Sequence, residues 1–167
     1  MPAAPAGTSP LLRSLLRLLA CLALVAVVSF VGGVTTYPQI PTWYATLVKP
    51  AWTPPNATFP IAWTTLYLMM AVCLWRLWDK VLPSPARHRA IVLFLVQLAL
   101  NAIWSPVFFG LHAIWPGLLI VLALLVALAA TLRACFKVDA LAGWLLVPYL
   151  IWGCYAASLN GAIAVLN

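Results

Sequence analysis

Apolar residues in this chain fall into five long runs instead of alternating with polar ones. The first extends from about Leu15 to Thr35, the second from Phe59 to Trp78, and the third from Ala90 to Phe109. The fourth covers about Ile114 to Leu132 and the fifth about Leu141 to Val165. Each is long enough to cross a hydrocarbon core of about 30 Å as an α-helix. Backbone groups in lipid must find partners within the segment, which selects helices, and the short alternating segments of a membrane barrel are missing. The pattern predicts an all-α fold, an integral membrane bundle of five transmembrane helices. Residues 13–167 are expected to form one domain, and the Pro- and Ala-rich residues 1–12 a disordered tail.

Composition strengthens this reading. Of the 167 residues, 66% are hydrophobic and 7% charged, whereas a soluble domain carries about a quarter charged residues. The net charge of +7 does not point to nucleic acid, because the basic residues stand singly at the ends of apolar runs and form no stripe. They act instead as orientation signals. Arg13 and Arg17 flank the first run, Arg76, Lys80, Arg87 and Arg89 fall between the second and third, and Arg133 and Lys137 between the fourth and fifth. In a five-span protein these positions share one side, and Lys49 alone lies on the other. The excess places the N-terminus in the cytoplasm and the C-terminus outside, and helical spans favour a bacterial inner membrane. Leu18-Leu19-Ala20-Cys21 has the form of a lipoprotein cleavage box, but no apolar segment separates it from Arg17, so the first span is expected to stay uncleaved.

The connections are unequal. The first, about Thr36 to Thr58, is rich in Pro and aromatic residues, including Pro38, Pro41, Trp43, Tyr44, Pro50, Trp52, Pro54 and Pro55. A long loop of this kind is usually functional, and it is expected to form a structured lid over the outer ends of the helices. An interfacial anchoring loop is the other reading. No internal repeat of useful length supports the symmetry common among transporters.

Conventional catalytic chemistry has no basis here. The only acids, Asp79 and Asp139, sit at helix ends near basic residues. His88 in a cytoplasmic loop and His112 in an outer turn cannot join a metal cluster, and no metal is expected. Cys21, Cys73, Cys135 and Cys154 all fall inside apolar runs and read as buried structural thiols. Buried charge, which ion and proton pathways usually need, is absent from the spans.

What remains is aromatic and amide. There are nine tryptophans. An interfacial belt accounts for Trp75, Trp78, Trp115 and Trp144, but Trp152 lies near mid-span, and Trp63 and Trp104 lie within theirs. Gln97, Asn101 and Ser105 share one helix face with Trp104 and Phe108 beside them. Trp152, Tyr155, Ala156 and Asn160 share another, and Trp63, Tyr67 and Met70 a third. Amides in membrane helices face protein, so the three faces are expected to converge on an aromatic pocket suited to a flat conjugated ligand. Spacing alone leaves a packed core equally open. Gly153, Ala157 and Gly161 form a small-residue stripe for internal packing or for a homodimer seam.

Three blocks give these features a family. They are Lys49-Pro50-Ala51-Trp52-Thr53-Pro54-Pro55 running on to Phe59, Trp63 and Leu66-Tyr67; Gln97 through Gly110; and Trp144 through Val147-Pro148-Tyr149-Leu150-Ile151-Trp152 to Ala156, Leu159 and Asn160. Over roughly residues 25 to 162 the chain resembles the translocator protein family, also called tryptophan-rich sensory proteins or peripheral benzodiazepine receptors. The resemblance implies a five-helix bundle, commonly dimeric, that binds porphyrins and related tetrapyrroles, with no obligate cofactor and with porphyrin or haem as ligand. It implies a sensor or regulator in tetrapyrrole metabolism or oxidative-stress response, with at most a slow light-dependent degradation of porphyrin as enzymatic activity. Transport or export of porphyrin intermediates, and ligand-free modulation of another membrane complex, are the competing functions. The implied pocket uses Tyr44, Trp63, Tyr67, Asn101, Trp104, Phe108, Trp152 and Ala156, with Trp63 and Trp152 as the photochemical pair. The animal C-terminal sterol motif needs a basic residue after a Tyr, and no Lys or Arg follows Lys137, so sterol binding is not expected.

Overall fold

The computed structural model describes residues 9–167. Six α-helices make up most of it: α1 (Pro10–Thr36), a short α2 (Trp43–Thr46), α3 (Thr58–Asp79), α4 (Pro85–Ser105), α5 (Ile114–Phe136) and α6 (Ala140–Leu166). All except α2 are long and apolar enough to cross a membrane. A 3₁₀ turn (Tyr37–Gln39) follows α1, and α4 continues into a π-helical turn (Pro106–Gly110).

Helix starts are set by local chemistry. The Ser9 hydroxyl accepts from the Leu12 N–H at 3.2 Å, and Pro10 occupies the first turn, where its missing N–H costs nothing. Residues 10–12, which composition assigns to a disordered tail, are therefore helical, and residues 1–8 of that tail lie outside the described residues. Ser84 and Pro85 repeat the device on α4, with Ser84 accepting from Arg87 N–H at 3.1 Å. This cap draws Arg87, His88 and Arg89, expected in a loop, into the first turn of the helix. Asp139 caps α6 by accepting from Ala142 N–H at 3.1 Å.

The helices close into a ring in the order α1, α3, α6, α5, α4. Side chains such as Met70, Leu77, Phe94, Leu128, Leu146 and Tyr149 are fully buried at its centre. The stripe left open by the sequence is spent on the α5–α6 contact. A Cβ at Gly153 would come within 2.9 Å of Leu125, Ala157 is buried, and a Cβ at Gly161 would meet Leu118 at 3.8 Å. Three of the four cysteines are buried, but Cys154 is exposed on the outer surface of α6, contrary to expectation. It follows Gly153, which faces α5, and so points away from the bundle.

One end of the bundle is basic and tied by ions. Arg76 on α3 donates two hydrogen bonds to Asp139, at 2.9 and 3.2 Å. Asp79 accepts from Ser14 at 2.7 Å and from Arg17 at 3.1 Å, both on α1, and pairs with Lys80 at 3.0 Å. Trp75, expected in the interfacial belt, is half-buried here and donates its indole N–H to the Ser14 carbonyl at 3.2 Å. Trp78, Trp115 and Trp144 are exposed.

The opposite end carries the lid, formed by the first long connection. It is fastened by uncharged groups. The Asn167 amide donates to the Val48 carbonyl at 3.0 Å and accepts from the Val48 N–H at 3.0 Å. Tyr155 donates its hydroxyl to the Trp52 carbonyl at 3.0 Å. Trp43 lies flat on His112, 4.3 Å between ring centres, and His112 pairs with Gln39 at 3.0 Å. Lys49 folds back, donating to the carbonyls of Tyr44 and Leu47 at 2.7 and 2.9 Å, and so caps the end of α2.

Candidate functional site: an aromatic cavity beneath the lid

A partly open cavity of about 190 Å³ lies under the lid. Its walls come from α1, α3, α4, α6, the lid and the π-helical turn, and α5 stands behind them. All eight residues implied by the sequence line it: Tyr44, Trp63, Tyr67, Asn101, Trp104, Phe108, Trp152 and Ala156. Gln97 and Met70, grouped with them by helix face, do not. Both are fully buried below the cavity, and neither Gln97 amide atom has a hydrogen-bond partner. Tyr155 is diverted to hold the lid at Trp52.

The floor is a hydrogen-bonded relay. Tyr67 donates to the Asn101 carbonyl oxygen at 2.7 Å, and the Asn101 amide donates to the Tyr149 hydroxyl at 2.8 Å. Three helices are thereby joined through one amide. A second amide, Asn160, accepts from the Trp104 indole at 3.3 Å and donates to the Ile114 carbonyl at 3.1 Å. A buried amide left unpaired would be costly, so each bond also fixes the ring it holds.

The aromatic walls are ordered by spacing and by the π-turn. Trp104 and Phe108, four residues apart, stack with ring centres at 5.2 Å and planes 14° apart. Pro106 has no N–H for the α-helical ladder, and the chain widens so that Leu111 N–H reaches the Pro106 carbonyl at 2.9 Å. The turn buries both Phe108 and Phe109. Trp43 and Tyr44 of the lid rest on them, Trp43 on Phe108 at 5.5 Å and Tyr44 on Phe109 at 5.5 Å. Gly117 on α5 makes room behind, since a Cβ there would fall 2.9 Å from Phe108. Trp63 packs on Tyr67 and Tyr149, at 5.5 and 6.0 Å, while Trp152 packs on Phe59 and Tyr155, at 6.1 and 5.4 Å.

No lining residue is charged, and none is a His or Cys. Burial, with a smaller contribution from Tyr155, raises the Tyr44 hydroxyl above its ordinary value, so the lid tyrosine stays neutral as well. The site offers hydrophobic area, π-faces and neutral hydrogen-bonding groups. Sequence reasoning missed the α1 wall, formed by Ser29, Gly32, Gly33 and Thr36, together with Phe59, Phe109 and Asn56. The Gly32-Gly33 pair near the end of an otherwise bulky apolar run was the available signal.

Comparison with known proteins places the chain in a family. The model of the TspO/MBR family matches residues 20–166. The chain is similar to the tryptophan-rich sensory protein of Cereibacter sphaeroides, 41% identical over 75% of this chain and 77% of the relative. It is 37% identical to the tryptophan-rich protein TspO of Chlorobaculum tepidum, over 93% of this chain and 98% of the relative. It is also 37% identical to the human translocator protein, over 78% of each chain.

Proposed function

Because the chain belongs to the TspO/MBR family, we propose that it is a membrane sensor that binds porphyrins and related tetrapyrroles, haem included, in the aromatic cavity under its lid. Through that binding it regulates tetrapyrrole metabolism or the response to oxidative stress. The observation that carries the reading is the cavity wall itself: Trp63, Trp104, Trp152, Tyr44, Tyr67 and Phe108 around one uncharged space. Relatives named for sensing and for translocation keep transport of porphyrin intermediates as the second reading. The closed ring without buried charge favours the sensor. At about 190 Å³ the cavity is smaller than the ~300–1,000 Å³ usual for drug-sized ligands, so a tetrapyrrole enters with the lid displaced.

Any light-dependent degradation starts from Trp63 or Trp152. The indole would give one electron to the excited porphyrin, the porphyrin radical anion would pass it to dioxygen as superoxide, and the superoxide would take the indole N–H proton, leaving an indolyl radical and a hydroperoxyl radical that adds to the porphyrin ring. The protein sits in a bacterial inner membrane with its basic end in the cytoplasm and its lid outside.

The test is titration of the purified protein with protoporphyrin IX while tryptophan emission is followed. Saturable quenching that weakens in Trp152→Phe is expected, and emission unchanged by porphyrin would overturn the reading. Illumination of the complex separates binder from enzyme, since loss of the porphyrin Soret band must depend on Trp63 or Trp152. Flux into proteoliposomes tests transport.

A further inference from the structure

We propose that the cleft between α1 and α3, at the basic end of the bundle, binds the phosphodiester headgroup of an anionic phospholipid. It lies at the end opposite the lid, and the proposal does not depend on what the aromatic cavity binds. Arg13 and Arg17 of α1 line the cleft together with Ser14, Asp79 and Lys80. Three cations thus share one carboxylate, which leaves an excess of two positive charges. The carboxylate is the inner member of the group. The Asp79 side chain is 9% exposed, against 40% for Arg17 and 47% for Lys80. Ser14, Arg17 and Lys80 surround it at 2.7, 3.1 and 3.0 Å. Asp79 therefore anchors the cations from behind and leaves their outer faces to an incoming anion.

Two of these cations are also fixed by indole rings. Arg17 lies 5.7 Å from the centre of the Trp78 ring and Lys80 4.9 Å from that of Trp75. Side chains ordered in advance lose less freedom when a ligand gathers them. Arg17 spends one guanidinium N–H on Asp79, and among the described residues the Arg13 side chain has no ion pair or hydrogen bond. The remaining N–H groups of these forks suit the paired oxygens of a phosphate. Other basic residues at this end do not converge in this way, since Arg76 is bound to Asp139 and Arg87 to the Trp78 carbonyl. The setting marks the anion as lipid. Leu11, Leu15 and Leu19 are exposed on successive turns of α1 and lead from the cleft into the bilayer as a track for acyl chains. Trp78 is exposed beside Arg17, at the level where indoles meet headgroups. Basic pockets between transmembrane helices are the usual places where anionic headgroups are held.

The test uses the full chain, delipidated in a neutral detergent, and counts bound lipid by native mass spectrometry. Dioleoyl phosphatidylglycerol is compared with dioleoyl phosphatidylcholine, which has the same chains and no net charge. The anionic lipid is expected to bind at least about tenfold more tightly. That ratio should fall close to one in Arg13→Gln/Lys80→Gln, which keeps the Ser14 and Arg17 bonds to Asp79. Arg13→Glu is the milder variant, at an exposed side chain, and should lower the ratio without disturbing the fold. Arg133→Gln/Lys137→Gln removes the same charge from the same end but outside the cleft, and should leave the ratio unchanged. Equal affinities for the two lipids, a ratio unmoved by Arg13→Glu, or an equal loss in Arg133→Gln/Lys137→Gln would each overturn the site. Inorganic phosphate and glycerophosphoglycerol, which lack acyl chains, separate the two sources of a phosphate. Neither should displace phosphatidylglycerol at the lipid's own concentration, and displacement by either would mean that the cleft takes a soluble phosphate and that the lipid assignment is wrong.

Discussion

Asn101 does the most at the scale of single residues. Its amide accepts a hydrogen bond from Tyr67 and donates one to Tyr149, whose hydroxyl is fully buried. Asn101→Ala breaks both bonds and leaves the Tyr149 oxygen without its donor, at a cost of about 1–3 kcal/mol. Thermal unfolding in detergent should show the loss, and Tyr67→Phe should lose less, because it orphans only one lone pair. Gln97, one turn away on the same helix, is the opposite case, since both of its amide atoms are buried without a partner. Gln97→Met removes that burden at similar volume and should hold or raise the melting temperature. A clear drop would mean that the amide is bonded after all. The sequence placed these two amides on one face but could not separate them, because helix spacing reports direction and not depth. Only Asn101 reaches the cavity.

At the scale of elements, the site depends on how closely α4, α5 and the π-turn approach one another. Phe108 is fixed between Trp43, Trp104 and Phe109, and Gly117 supplies the gap it fills. Gly117→Ala would set a methyl 2.9 Å from the Phe108 ring and 3.4 Å from the Asn160 amide. The expected penalty is about 1–3 kcal/mol, together with weaker porphyrin quenching. Gly110→Ala at the end of the same turn meets nothing within 4 Å and should stay within about 0.5 kcal/mol of wild type. Melting curves of the two variants side by side check the contrast. The five long helices were legible as apolar runs because lipid punishes any other backbone. Their starts were not, because Ser9-Pro10 and Ser84-Pro85 extend α1 and α4 beyond the apolar stretch. The π-turn was also hidden, since Pro106 in a helical run signals a break without saying which kind.

For the whole molecule, the proposed direction across the bilayer rests on the charge asymmetry of its two ends. Thr46 lies on the lid and Leu82 in the connection at the basic end, and both are exposed. With the native cysteines replaced, a membrane-impermeant maleimide added to intact cells should label Thr46→Cys at once and Leu82→Cys only after permeabilisation. The reverse pattern would invert the proposed topology. The aromatic walls on α3, α4 and α6 were legible because Trp63, Tyr67, Trp104, Phe108 and Trp152 are large residues at helical spacing. The α1 wall was not, because it contributes absence of bulk at Gly32 and Gly33. With Gly153 and Gly161 packed toward Leu125 and Leu118 of α5, the small-residue stripe serves internal packing and is not free to form a homodimer seam.

The two ends of the bundle are fastened by different physics, and salt should tell them apart. Arg76–Asp139 and the Asp79 cluster are Coulombic, and mobile ions screen such attractions over about 10 Å at 0.1 M ionic strength. The clasp of Asn167 on Val48 and the Tyr155 bond to Trp52 hold no net charge that mobile ions could screen. Raising the ionic strength from about 0.05 to 0.5 M should therefore lower the melting temperature through the basic end. The rates at which a neutral porphyrin ester enters and leaves should barely change. Stopped-flow quenching at the two salt levels measures this directly, and a strongly salt-dependent exit rate would mean that the lid is held by ions after all.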